Sequence, residues 1–217
     1  MRRYAPAAGM VLVALCIGST AFGGANPNVT LPLHARLTSG SCTAFTPVNC
    51  TTTRPTVNVT AQTDYMIYLM IFNYASVAGV QTAFDWGATW TLQDVSFNCR
   101  TSQVNATTPD PSLPGGPTTG TITTAFNCLA GPSLAVIGRL LFTSGDTGCL
   151  MQVQSSYPFG DHVVDCTNGL DQINADDPVH QMRLGKVCIT SGGVDACNAI
   201  QPVDPATWGA IKATYGR

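Results

Sequence analysis

From residue 29 the chain alternates: Val29, Leu31, Leu33, Ala35 and Leu37 are apolar, with Thr30, Pro32, His34 and Arg36 between them. A period of two is that of a strand with one wet face. Pro32 has no N–H to give to a ladder, which places this strand at a sheet edge. Val57, Val59 and Ala61 repeat the pattern. YMIYLMIF (65–72) is apolar almost throughout, rich in aromatic and branched side chains, and too short for a typical buried helix. It predicts a central strand covered on both faces. In GVQTAFDW (79–86), Val80, Thr82, Phe84 and Trp86 fall on one side, and Val95, Phe97 and Cys99 continue the alternation.

Further strands are predicted at 121–128, 134–143, 150–154, 162–166 and 186–190. Thr-Ser-Gly follows an apolar alternating run three times, at 38–40, 143–145 and 190–192, and reads as a strand-ending turn. The stretch 100–120, with four prolines and three glycines, reads as an exposed loop. CLMQVQSSYPFGDHVVDC (149–166) reads as two strands and a turn, fastened at the base by its cysteines. No helical period appears before the C-terminus, and nine or ten short strands in one domain predict an all-β antiparallel β-sandwich. The tail QPVDPATWGAIKATYGR predicts a short C-terminal helix: Asp204 caps it, Pro205 opens it and Gly216 ends it. Trp208, Ile211 and Tyr215 then share one face, for docking on the sandwich or as a sorting tag.

The N-terminus adds a location. Arg2 and Arg3 precede a short apolar run and a small-residue exit at 23–25, the order of a secretory signal peptide. The expected division is a signal at 1–25, a domain at 26–200 and the tail at 201–217. No segment reaches the roughly 20 apolar residues of a membrane span. Charged residues are 10% of the chain and the net charge is −2, without a basic stripe. Nucleic acid is therefore a poor partner. Eight cysteines follow the signal: Cys42, Cys50, Cys99, Cys128, Cys149, Cys166, Cys188 and Cys197. An even count in an exported chain predicts disulfides. Pairing in sequence order (42 with 50, 99 with 128, 149 with 166, 188 with 197) closes a local loop each time and is the expected connectivity.

Three stretches carry candidate chemistry. His162 lies between Asp161 and Asp165, with Ser155 and Ser156 nearby, but no Gly-x-Ser-x-Gly elbow occurs. These are expected as solvated turn residues rather than a triad. Asp146-Thr147-Gly148 matches the triplet of aspartic proteases, which work as a pair of carboxylates; the chain holds one copy, and a tight turn is expected. Asp171, Asp176 and Asp177 offer hard oxygens for calcium, although Ile173 and Ala175 break the alternation of an EF-hand loop. No other cofactor is implied. Trp86 shares a face with Phe84 and is expected in the core, whereas Trp90, after the turn at 87–89, is the candidate for stacking on a sugar ring.

GVQTAFDW, followed by IGRLLFT (137–143), resembles the paired strands of cohesin-like modules. The tail looks like short C-terminal segments of uncharacterised secreted bacterial proteins. The resemblance implies a cohesin- or jelly-roll-like sandwich that binds another protein, although the cysteine count departs from that family. The expected function is a secreted, non-catalytic binding or structural module, with an extracellular protein or glycan as partner and self-association through the tail as a variant. A secreted hydrolase with an acidic or His-centred site, and a filament or coat subunit, are the competing classes.

Overall fold

The computed structural model describes residues 24–37, 40–42, 50, 57–96, 99–100, 102–108, 119–131, 134–153, 161–173 and 183–197. Among them are twelve strands and no α-helix: β1 Leu33–Arg36, β2 Asn58–Val59, β3 Asp64–Ile71, β4 Ser76–Trp86, β5 Thr91–Ser96, β6 Val104–Thr108, β7 Thr119–Ala130, β8 Ala135–Thr143, β9 Cys149–Val153, β10 Asp161–Val164, β11 Leu170–Ile173 and β12 Lys186–Ile189. Of the expected signal segment only Gly24 and Ala25 are described; the tail, with Trp208, Ile211 and Tyr215, lies outside the described residues.

The strands form two sheets. The smaller is antiparallel in the order β1-β3-β8-β5. In the larger, β7 pairs along one edge of β4 and β6 lies outside β7. The other edge of β4 is shared end to end by β9 and β10. β12 and β2 extend the sheet beyond β9, and β11 extends it beyond β10. The β2–β12 ladder is parallel. The expected all-β sandwich is thus observed, with β1 at an edge of the smaller sheet.

β3 is buried on both faces, as its continuous apolar run predicts. Tyr65, Ile67, Leu69 and Ile71 enter the main core between the sheets, against Phe84 and Trp86 of β4, Phe142 of β8, Leu150 of β9 and Val187 of β12. Met66, Tyr68 and Met70 point the other way into a second cluster with Leu134, Val136, Cys50 and Cys197. Each fully buried side chain of this size stabilises the fold by about 1.5–3 kcal/mol. Cystine sulfur contributes to the cover on that outer face.

The stretch from Cys149 to Cys166 is not a hairpin. Val153 faces Ala83 and His162 faces Gln81, so two steps along β4 correspond to nine along its partner. β9 and β10 therefore run in the same direction on one edge of β4, and the ladder resumes seven residues late. Cys149 and Cys166 stand about ten ladder steps apart, roughly 30 Å at the usual strand rise, too far for a bridge.

All eight cysteines are paired, but none in sequence order: Cys42 with Cys99, Cys50 with Cys197, Cys128 with Cys166, and Cys149 with Cys188. The sequential connectivity is overturned for one physical reason: neighbours in these sheets are distant in sequence. Cys149 and Cys188 are register partners on β9 and β12, and Cys128 on β7 reaches Cys166 beyond the end of β10. Two further expectations change. Residues 104–108 of the expected loop form β6, an edge strand whose threonines suit an extended backbone. Leu37 is exposed rather than inward, because β1 ends at Arg36.

Candidate functional site

β10 and the turn after it hold Asp161, His162 and Asp165 of the candidate catalytic groups, and both aspartates bind backbone groups. Asp161 is fully buried, and its Oδ1 accepts the Ala83 N–H at 3.2 Å where the β9 ladder stops and the β10 ladder begins. A carboxylate thus takes a donor of β4 at the break. His162, the next residue, projects to the opposite face of the strand and is also buried, in register with Gln81 and Gln172. The expected solvated turn at 161–162 is therefore a buried strand, and its two side chains do not converge.

Asp165 closes the hairpin between β10 and β11. Its Oδ1 accepts the Thr167 hydroxyl at 2.7 Å, the Thr167 N–H at 2.7 Å and the Gly169 N–H at 2.8 Å. Asn168 sits in the left-handed region at φ 68°, where asparagine is among the few tolerated side chains. The Thr167 hydroxyl, followed by the Gly169 amide, holds the Asp165 carboxyl down at about 2. Asp165 is thereby fixed as a turn-former rather than as the orienting member of a triad. Ser155 and Ser156 lie outside the described residues.

Asp146 is exposed in the turn between β8 and β9, as expected. The neighbouring Thr147 carbonyl accepts the Trp90 indole N–H at 3.1 Å. Trp90 is only 3% exposed and packs edge-on against Phe142 with ring centroids 6.1 Å apart. The sugar-stacking expectation for Trp90 is therefore corrected. Its indole N–H finds a carbonyl inside the fold, so the ring can bury without an unsatisfied donor. Trp86 is in the core beside the same phenylalanine, as expected. Of the calcium candidates, Asp171 is buried and its Oδ2 accepts the Asn26 N–H at 2.7 Å; Asp176 and Asp177 lie outside the described residues.

An open site lies instead at the edge formed by β1 and β2. A pocket of about 460 Å³ is lined by His34, Arg36, Leu37, Asn58, Thr60 and Tyr65, together with Ala35 and Val59. Leu37, at its rim, is 67% exposed and is the one exposed large hydrophobic side chain among the described residues. Burial, reinforced by the Arg36 charge, lowers the His34 pKa to about 4, so the imidazole is neutral at pH 7. The Tyr65 hydroxyl accepts the Thr60 N–H at 2.8 Å and keeps its own proton for another acceptor. A cation, a neutral imidazole and a hydroxyl beside an apolar rim suit an acceptor-bearing group flanked by hydrocarbon. The alternation assigned His34 and Arg36 only to the wet face of a strand; the pocket arises because β2, the next strand but a member of the other sheet, comes beside them.

No family model and no curated protein matches the chain. Among solved structures it is similar to a cohesin module from the Clostridium perfringens family 33 glycoside hydrolase, at 9% identity over 74% of this chain and 96% of that one, with a TM-score of 0.44. A non-cellulosomal cohesin from Archaeoglobus fulgidus gives 9% identity, 75% and 91% coverage and a TM-score of 0.44. CaCohA2 from Clostridium acetobutylicum gives 13%, 78%, 99% and 0.43.

Proposed function

We propose that the chain is an exported, non-catalytic binding module that captures a protein partner at the β1–β2 edge. The β1–β2 pocket carries the reading: it brings the exposed Leu37 together with a cation, a neutral imidazole and a hydroxyl, an apolar anchor beside a few polar groups. Arg36, the His34 imidazole and the Tyr65 hydroxyl then supply polar contacts around that anchor, the pattern of an apolar hot spot with a polar rim. The roles of Asp161 and Asp165 support the non-catalytic half, since both bind backbone groups of the scaffold. The burial of Trp90 weighs against a glycan and towards a protein. Four disulfides are in keeping with an oxidising compartment, and the signal-like N-terminus supplies the route.

The test is a pull-down from the medium of the source culture, run beside a glycan array. A specific protein partner should be retained by the wild type and lost with Leu37→Asp, whose melting temperature should match wild type because the site is exposed. Retention by Leu37→Asp, or a hydrolytic activity abolished by His162→Ala with folding intact, would overturn the reading.

A further inference from the structure

The segment that follows the small-residue exit is seated on two buried carboxylates. Asp165, through Oδ2, accepts the Ala25 N–H at 3.0 Å, and Asp171, through Oδ2, accepts the Asn26 N–H at 2.7 Å. Asp165 opens the β10–β11 turn and Asp171 lies on β11 opposite Val163; they are 3% and 8% exposed. Among the described residues, neither makes an ion pair with a lysine, arginine or histidine. Desolvation first, and repulsion from Asp165 further down the order, raise the Asp171 pKa. Two like charges thus lie close together, held by backbone amides and the Thr167 hydroxyl.

The chain is fixed from Asn26 onward and crowded before it. Asn26 is 1% exposed, and its Oδ1 accepts the N–H groups of Ala75 and Ser76. Its Nδ2 is buried without a hydrogen-bond partner, yet it is near enough to bear on the Asp171 carboxyl. Arg183 donates to the Pro27 carbonyl at 2.6 Å, and the Asn73 amide donates to the Asn28 carbonyl at 2.9 Å. Behind Asn26, a Cβ on Gly24 would come within 2.3 Å of Asp171 Oδ2, and one on Gly169 would come within 2.5 Å of Asp165 Oδ2. Only glycine passes there.

We infer that Asp165 and Asp171 form a receptor for an α-ammonium group, and that its ligand is the new N-terminus at Asn26. Hydrolysis of the Ala25–Asn26 bond by a leader-cleaving peptidase and one water leaves the carboxylate on the departing segment and the ammonium on Asn26. The bond joins an exposed Ala25 to a buried Asn26, so the new terminus is held inside the fold while the departing segment lies outside it. The intact chain offers single amide protons from Gly24, Ala25 and Asn26; cleavage removes the first two and gives Asn26 an ammonium with three protons and a full charge for both carboxylates. The resulting charge-assisted bonds are about twice as strong as neutral ones. Folding is thereby coupled to processing: the mature chain closes on its own terminus, and the unprocessed chain lacks the counter-charge. The partner-binding reading does not enter; only the export step is shared with it.

The experiment uses full-length oxidised chains with defined starts, released from a cleavable tag: one beginning at Asn26, the other retaining residues 23–25 behind a short Gly-Ser extension. The Asn26 chain should melt at least about 2 °C higher, and Asp171→Asn should abolish the difference. In the Asn26 chain, the terminal amine followed by NMR after isotopic methylation should titrate above about 9, against an ordinary 7.7–8.0. Should Asp171→Asn fail to fold, the amine titration in the wild-type chain decides alone. Equal melting temperatures, a difference that persists in Asp171→Asn, or an ordinary terminal pKa would each overturn the inference. Export can be checked separately by the mass of the secreted protein, so the two failures are distinguishable.

Discussion

Burial, with a smaller contribution from Arg36, holds the His34 imidazole at a pKa of about 4, below its ordinary 6.5. The folded state resists the proton that the unfolded chain takes up below pH 6.5. The stability His34 contributes is therefore intact above pH 6.5, declines between about 6.5 and 4, and is gone below that. Discounted for partial contact with solvent, the loss is about 2 kcal/mol. Denaturant unfolding at a series of pH values should show this slope in the wild type and lack it in His34→Gln. Asp165 acts in a different window: its lowered pKa contributes stability above about 3.8 that is lost as pH falls towards 2. Trp90 makes the second residue-scale prediction. Trp90→Ala should cost about 3–5 kcal/mol as a core truncation, measured by unfolding, whereas Trp90→Phe should leave partner capture unchanged. A Trp90→Phe protein that folds normally but loses its partner would restore a binding role to this side chain.

At the scale of elements, a glycine sets how closely three strands meet. Gly185 donates to the Leu31 carbonyl at 3.0 Å and to Gln152 Oε1 at 2.6 Å, joining the approach to β1 with β9 and β12. A Cβ there would lie 2.5 Å from the Leu33 backbone nitrogen. The backbone cannot yield as a side-chain tip would, so Gly185→Ala should destabilise by about 1–3 kcal/mol. Thermal unfolding checks this, and a neutral substitution would show that the sheets can separate at this corner. β1 and β4 were legible in the sequence because a period of two reports directly which residues face inward, and β3 because its continuous apolar run reports burial on both faces. β6 and β11 were not, since their polar side chains carry no such period. The pairing of β9 and β10 with one edge of β4 was equally hidden, because alternation fixes a strand's faces and says nothing of its neighbour. The pocket was illegible for the same cause: His34 and Asn58 meet only through the order of the strands.

In the whole molecule the disulfides join what the chain keeps far apart. The Cys50–Cys197 bridge closes a span of 147 residues, and the bridges of Cys128 and Cys149 close spans of 38 and 39. In the chain-entropy model a loop of the first size restricts the unfolded state by roughly 5 kcal/mol and loops of the second by roughly 4 each, as non-additive upper values because the loops overlap. Bridges between sequence neighbours would restrain it less. The long-range bridges also join the second cluster, where Cys50, Cys99 and Cys197 pack against the outward side chains of β3 and β8. An oxidised cross-linked sandwich is therefore the frame on which the Leu37 edge is displayed, and the cysteine map of the purified protein reports on it. Peptide mapping under non-reducing conditions should link Cys42 to Cys99, Cys50 to Cys197, Cys128 to Cys166 and Cys149 to Cys188. Free thiols at these positions, or a peptide joining Cys149 to Cys166, would contradict both the strand order and the bracing it provides.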